Sequence, residues 1–163
     1  MISSWTLRHI VREDLDTVIG WIDSEAALKR WAGSGWAWPI DADALWEQVN
    51  LDESLPLVMA TDHDVLSFGQ IVQLHPGTLH VSLLVVNPDF RGRRLGERIC
   101  LALFKRGMAH WMDATHVTLD VCRDDKAALA MTHRLGFQEQ EDDVQEDKVG
   151  RIRLIHELPE LLG

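Results

Sequence analysis

The feature that most constrains the fold is a strand, a helix and a second strand in close succession between Leu79 and Cys122. "LHVSLLVV" (79–86) is an apolar, β-branched run of strand length, and "HVTLDVC" (116–122) is another. Between them a loop leads into "LGERICLALFKRGMAHW", with apolar residues at helical spacing to about Trp111. Two strands joined through such a helix lie parallel in one sheet. Just upstream the chain behaves differently. "LPLVMAT" (55–61), "VLSFGQIVQL" (65–74) and 79–86 are joined by the short turns "DHD" and "HPGT", which makes an antiparallel meander. The sheet is therefore expected to be mixed and mostly antiparallel.

The remaining segments supply its flanks. "SWTLRHIV" (4–11) reads as a strand; 12–22, 23–31 and 42–49 read as helices, the last capped by Asp41. Two glycines and a proline make 32–39 a loop. "DDKAALAMTHRLG" (124–136) is a helix ended by Gly136, and "RIRLIHEL" (151–158) a closing strand. The acidic stretch 139–148 is expected to be a solvated hairpin loop. An α+β domain results: a mixed, mostly antiparallel central sheet of about seven strands flanked by helices. With 163 residues, one domain over 1–163 is the simplest division.

Charge points to the function. The net charge is −10, yet Arg91, Arg93, Arg94 and Arg98 crowd into the loop and helix start after Pro88. The first amides of a helix lack intrahelical acceptors, and its dipole adds roughly half a positive charge there. Gly92 and Gly96 let a ligand approach the backbone. A phosphate-bearing ligand suits this loop; an exposed basic loop that binds nothing is the alternative. The acidity disfavours a duplex nucleic acid, whose binding rests on neutralising phosphates. No run reaches the ~18 apolar residues of a membrane span, and "MISSWTLRHIV" lacks the layout of a signal peptide. Cys100 and Cys122 read as buried reduced thiols, and neither they nor the histidines show metal-ligand spacing. A cytoplasmic protein without metal is the expectation.

Two motifs name a family. "LLVVNPDFRGRRLG" resembles the acetyl-coenzyme A signature of the GNAT superfamily of N-acetyltransferases, V-x-P-x-(Y/F)-R-G-x-G-x-G. "DDKAALAMTHRLGF" (124–137) resembles its second motif, N-x-x-A-x-x-x-Y-x-x-x-G-F. The strand order fits as well, including the glycine of "SFG" on the third strand of the resemblance. The resemblance implies that the anion is the pyrophosphate of coenzyme A, cradled by Arg91, Gly92, Arg93, Arg94, Leu95, Gly96 and Glu97, largely through backbone N–H groups. It implies that Leu84, Val85 and Val86 end a fourth strand splayed from the fifth, whose free backbone pairs with the pantetheine arm like an added strand. It also implies that Val85 or Val86 N–H polarises the thioester carbonyl.

Three positions depart from the pattern. Arg94 replaces a glycine. Asp125 replaces the asparagine that bonds the cofactor's arm, and can accept there but not donate. Thr132 replaces the tyrosine that protonates the departing thiolate, in a chain with no tyrosine at all. With a thiol pKa of about 8.5 the thiolate leaves tolerably without help, and a general acid adds ~10²–10⁴-fold.

His80 and Asp120 match positions where family branches carry a catalytic glutamate. Period-2 alternation places His80 on one face with Ser82 and Leu84; a structural histidine is the alternative. A base matters most for lysine-like amines, which cost about 4.6 kcal/mol to deprotonate at pH 7 against about 1.4 for an α-amine. Trp31, Trp36 and Trp38 resemble a loop lying over the acceptor end of the cleft, as an aromatic cage for a cation or as packing. The resulting expectation is acetyl transfer from acetyl-CoA to a primary amine of a small molecule or a protein. A non-catalytic acetyl-CoA-binding module and an interaction domain using the Trp31–Trp38 loop are the rivals, and a homodimer is left open.

Overall fold

The computed structural model describes residues 4–50, 52–140 and 150–159, so most of the expected acidic loop lies outside the described residues. In chain order the elements are β1 (Thr6–His9), α1 (Arg12–Ile19), α2 (Glu25–Ala32), α3 (Ala42–Val49), β2 (Ser54–Ala60), β3 (Val65–His75), β4 (Thr78–Val86), α4 (Leu95–His110), β5 (His116–Cys122), α5 (Lys126–Leu135), β6 (Gln138–Glu139) and β7 (Arg151–Glu157). They build one seven-stranded sheet in the order β1-β2-β3-β4-β5-β7-β6. Every neighbouring pair is antiparallel except β4 and β5, the pair joined through α4. The mixed sheet expected from the strand–helix–strand succession is present.

Local chemistry sets the helix ends. Ser24 accepts from Ala27 N–H and Asp41 from Asp43 and Ala44 N–H, which starts α2 and α3. α1 stops at Ile19, short of the expected Ile22, with Gly20 at its end and tighter turns from Trp21 to Val18 and Ile22 to Ile19 taking over.

The sheet has a core on each face. Leu79, Val81, Val117 and Leu119 pack with Ile99, Leu103 and Phe104 of α4 on one side. Phe68, Val58 and Leu83 pack with Leu15, Leu28, Trp31 and Leu45 of the first three helices on the other. Gly107 allows α4 to lie low on the sheet: a Cβ there would stand 2.7 Å from Ile71 Cδ1 and 2.8 Å from Leu79 Cδ1.

Candidate active site

β4 and β5 pair only from Thr78↔His116 to Val81↔Leu119. Both strands continue beyond that point without pairing, so a gap opens between them. A cleft of about 260 Å³ occupies it, lined by His80 and Ser82 of β4, Asp120 of β5, Trp31 and Trp36 from α2 and its loop, and Met131 of α5. β4 therefore presents an unpaired backbone edge to a cleft, where an extended ligand can add as a strand.

A bulge aims that edge. Ser82 is paired with Gln70 and Val85 with Phe68, so two residues of β4 face one of β3. Leu83 takes up the extra length in a left-handed conformation, φ 56°. Past it the side chains change faces. Leu83 and Val85 join the core under α1–α3, while Leu84 and Val86 turn toward α4. The expectation that His80, Ser82 and Leu84 share a face therefore fails at Leu84, because plain alternation does not survive the inserted residue. Gly69 makes room for the change: a Cβ on it would stand 3.2 Å from Leu84 Cδ1 and 2.7 Å from Leu103 Cδ1. The N–H of Asn87 donates to the Leu66 carbonyl of β3 at 2.8 Å. Alternation back from Asn87 points the Val85 N–H toward β3 and those of Leu84 and Val86 toward the gap.

The arginine loop follows directly. Asn87 pins the turn, accepting from Asp89 N–H at 3.0 Å and donating to the Val65 carbonyl at 2.9 Å. Arg94 is the residue before α4, left-handed at φ 57°, and its side chain makes no capping bond. Glu97, the carboxylate in the first turn, is held 3.3 Å from Arg134 Nε on α5 instead. A Cβ on Gly96 would lie 3.6 Å from Met131 Sδ and 3.8 Å from Val86 Cγ2, so this glycine keeps a groove open between β4 and α5. Gly92 is left-handed with open space around it. Arg91, Arg93 and Arg94 are exposed, Arg93 lying 5.3 Å over the Phe90 ring.

At the narrow end of the cleft, where β4 and β5 part, stand two of its titratable residues, His80 and Asp120. His80 is buried, and its Nδ1 meets Thr118 Oγ1 at 2.6 Å. Its Nε2 faces Asp120 Oδ2 at 3.7 Å, too long for a hydrogen bond. Arg153 grips Asp120 with two bonds, 2.9 Å from Nε to Oδ1 and 3.1 Å from Nη2 to Oδ2. Arg151 Nη2 lies 3.9 Å from Oδ2. Burial, helped by the charges of Arg153 and Arg151, lowers the His80 pKa to about 4 against the pull of Asp120. Burial also opposes ionisation of Asp120, but its hydrogen bonds from Arg153 and the charges of His80, Arg153 and Arg151 outweigh this and hold its pKa below the usual value. At neutral pH the pair is a neutral imidazole beside an ionised carboxylate.

The sequence pattern of the Acetyltransferase (GNAT) family matches residues 4–137. The chain belongs to this family. GNAT members of this kind are acetyl-CoA-dependent acyltransferases, and the chain is one of them. Solved structures agree on the fold. Spermidine N-acetyltransferase from Vibrio cholerae, in complex with CoA and spermine, is 13% identical with a TM-score of 0.77 over 99% of both chains. Aminoglycoside acetyltransferase AAC(6')-Ib, in complex with coenzyme A, is 16% identical with a TM-score of 0.71 over 96% of both. An uncharacterized protein from Bacillus halodurans is 16% identical with a TM-score of 0.76, over 96% of this chain and 86% of that one. No curated protein matches the sequence.

The residues present suit the GNAT co-substrate: an open strand edge at Leu84 and Val86, a groove at Gly96, and first-turn amides of α4 that the N-cap side chain of Arg94 leaves uncapped. Asp125, in the asparagine slot, lines the cleft and caps α5 by accepting from Ala128 N–H at 3.1 Å. Thr132 is not brought to the cleft. It is buried, its hydroxyl donates to the Leu129 carbonyl at 2.9 Å, and it borders a separate hollow with Phe137 and Leu154. Its side chain is too short to extend from α5 as a tyrosine does. The tryptophans do not converge as one cage of three either: Trp31 and Trp36 both line the cleft, Trp31 with most of its ring packed into the core, while Trp38 is 39% exposed and is not among the lining residues. Among the described residues no group of histidine, cysteine and carboxylate side chains is placed to hold a metal, and no helix is long and apolar enough to cross a membrane.

Arg153, Thr118 and Leu83 escaped the sequence reading. Arg153 sits opposite Asp120 in the β5–β7 register, and Thr118 opposite His80 in β4–β5. Only a known strand register identifies such partners.

Proposed function

We propose that the protein is an N-acetyltransferase in which a primary amine attacks the acetyl thioester of acetyl-CoA directly. The observation that carries this reading is the edge of β4 that β5 leaves unpaired facing the cleft, continuous with the start of α4. Acetyl-CoA supplies an activated acetyl group. The amides of Leu84 and Val86 hold its arm and polarise the carbonyl, while Val85, its N–H turned to β3, is left to the sheet. The amides at Leu95, Gly96 and Glu97 and the guanidinium groups of Arg91, Arg93 and Arg94 hold the pyrophosphate, and Gly92 lets it approach.

Direct attack is supported by the thiol in the cleft. Cys122 is buried, and burial followed by the charge of Asp124 raises its pKa. A protonated thiol is a poor nucleophile, so an acyl-cysteine route has little support.

His80 is the proposed proton acceptor and Asp120 the carboxylate that draws the amine in. A base with a pKa of about 4 is weak, so the chemistry is easiest for amines that deprotonate cheaply. An α-amine, at about 1.4 kcal/mol for pH 7, fits better than a lysine-like amine at about 4.6. The solved relatives act on spermidine and aminoglycosides by name; the acceptor of this chain is proposed only as a primary amine of low pKa. Chemistry without a tyrosine acid relies on the thiolate leaving unaided. Because the chain has no tyrosine, a binding module that does not turn over is the second reading.

Two measurements test the proposal. Calorimetric titration should show acetyl-CoA uptake, and free thiol should appear when an α-amine panel is added. Uptake without thiol release above background hydrolysis selects the binding module; no uptake at millimolar concentration rejects both.

A further inference from the structure

We infer that Trp31 is a positioning residue for acyl transfer: its indole N–H holds the β4 bulge in place through the Leu83 carbonyl. The inference rests on the reading of the cleft given above. The Trp31 Nε1 to Leu83 oxygen distance is 2.7 Å in a buried setting, and both residues are 8% exposed.

Leu83 needs such a partner for two reasons. It is left-handed at φ 56°, a conformation that a branched strand residue does not adopt unless its surroundings impose it. It is also the residue left over between the Ser82–Gln70 and Val85–Phe68 pairs. A carbonyl displaced from the ladder and buried must find another donor. Trp31 is well fixed to supply one. It lies in the last turn of α2, which Gly33 ends, and its ring packs with the core under α1–α3.

The consequence reaches the co-substrate. Without the bulge, alternation carries on from Val81 through Val86 and turns Leu84 away from α4. The amides of Leu84 and Val86 then no longer stand toward the gap. A single hydrogen bond from the acceptor side of the cleft thus sets the register of the strand on the other side. A smaller aromatic at position 31 keeps most of the packing and removes the donor.

The experiment compares Trp31→Phe, and Trp31→Phe with Leu83→Gly, against the full wild-type chain. Glycine takes positive φ freely, so the bulge in the double variant should no longer depend on the indole. Backbone amide resonances of residues 82–86 are recorded without ligand, and acetyl-CoA affinity is measured by calorimetry. Trp31→Phe should shift and broaden those amides and weaken acetyl-CoA binding about tenfold, as expected for one lost buried bond. The double variant should return to within about threefold of wild type, a rescue that a purely packing role for the ring does not give. Unmoved amides overturn the inference whatever the ligand does. Moved amides with unchanged affinity overturn the positioning role. If wild type takes up no acetyl-CoA, the enzyme reading fails on its own, and the amide shifts still decide the clamp. Should Trp31→Phe not fold, exchange of the Trp31 indole proton in wild type decides: protection supports the bond, and exchange at the solvent rate overturns it.

Discussion

His80 Nε2 on β4 and Asp120 Oδ2 on β5 lie 3.7 Å apart, just where the two strands cease to pair. One strand partner fixes each of them: Thr118 holds the other nitrogen of His80, and Arg153 holds both oxygens of Asp120. The cleft thus places an uncharged imidazole and a carboxylate at its narrow end, and their charge states govern how the protein answers to pH.

Because the His80 pKa falls from 6.5 to about 4 on folding, the unfolded chain binds a proton that the native state refuses. The His80 contribution is intact above pH 6.5 and declines as the pH drops toward 4. Below that, the lowered pKa of Asp120 adds its own loss as the carboxylate protonates. Urea denaturation at pH 7 and pH 5 should show the decline, and His80→Gln should reduce it. A His80 resonance titrating near 6.5 in the native protein refutes this account.

Activity should follow the acceptor rather than the enzyme. With His80 already neutral, kcat/KM should rise with pH up to the pKa of the amine supplied, moving as the amine is changed. His80→Gln should lower the rate within the ~10²–10⁴-fold range of general-base help. A fixed inflection near pH 6.5 for every amine contradicts the assignment.

Arg94 stands left-handed at φ 57° where glycine carries no penalty. Arg94→Gly should raise stability by about 1 kcal/mol, read as a higher denaturation midpoint. Acetyl-CoA affinity should fall modestly and depend less on salt, since one guanidinium near the pyrophosphate is lost. A drop in stability removes the strain argument.

At Gly96 the groove has room for a methyl group and little more, with Met131 Sδ 3.6 Å from the Cβ position. Gly96→Ala should bind acetyl-CoA nearly as wild type does, whereas Gly96→Trp should lose the binding with the fold intact by circular dichroism. Equal affinity in both variants rules out the groove as the co-substrate's path.

Thr132 supplies its hydroxyl to the Leu129 carbonyl, outside the cleft. Thr132→Val should leave turnover within about twofold and cost roughly 1 kcal/mol of stability, the net worth of one hydrogen bond. A loss of ~10²-fold or more restores it as the acid.

Local order along the chain determined a good deal of this protein. Apolar period and turn residues marked the strands and long helices, and the succession 79–122 forced one parallel pair into an otherwise antiparallel sheet. The run from Pro88 to Gly96 marked the helix start proposed to hold an anion, since glycines, arginines and a helix following a strand are neighbours in sequence. What tertiary structure alone decided lies between residues far apart in the chain. The bulge at Leu83 depends on Gly69 opposite and Trp31 beneath, so alternation misplaced Leu84. The depressed pKa of His80 comes from burial and from Arg151 and Arg153, more than seventy positions away by their numbers. Thr132 occupies a motif position, yet a short side chain bonded to its own helix does not reach the cleft. Periodicity is a property of a segment, whereas register, burial and charge are properties of what the segment is packed against.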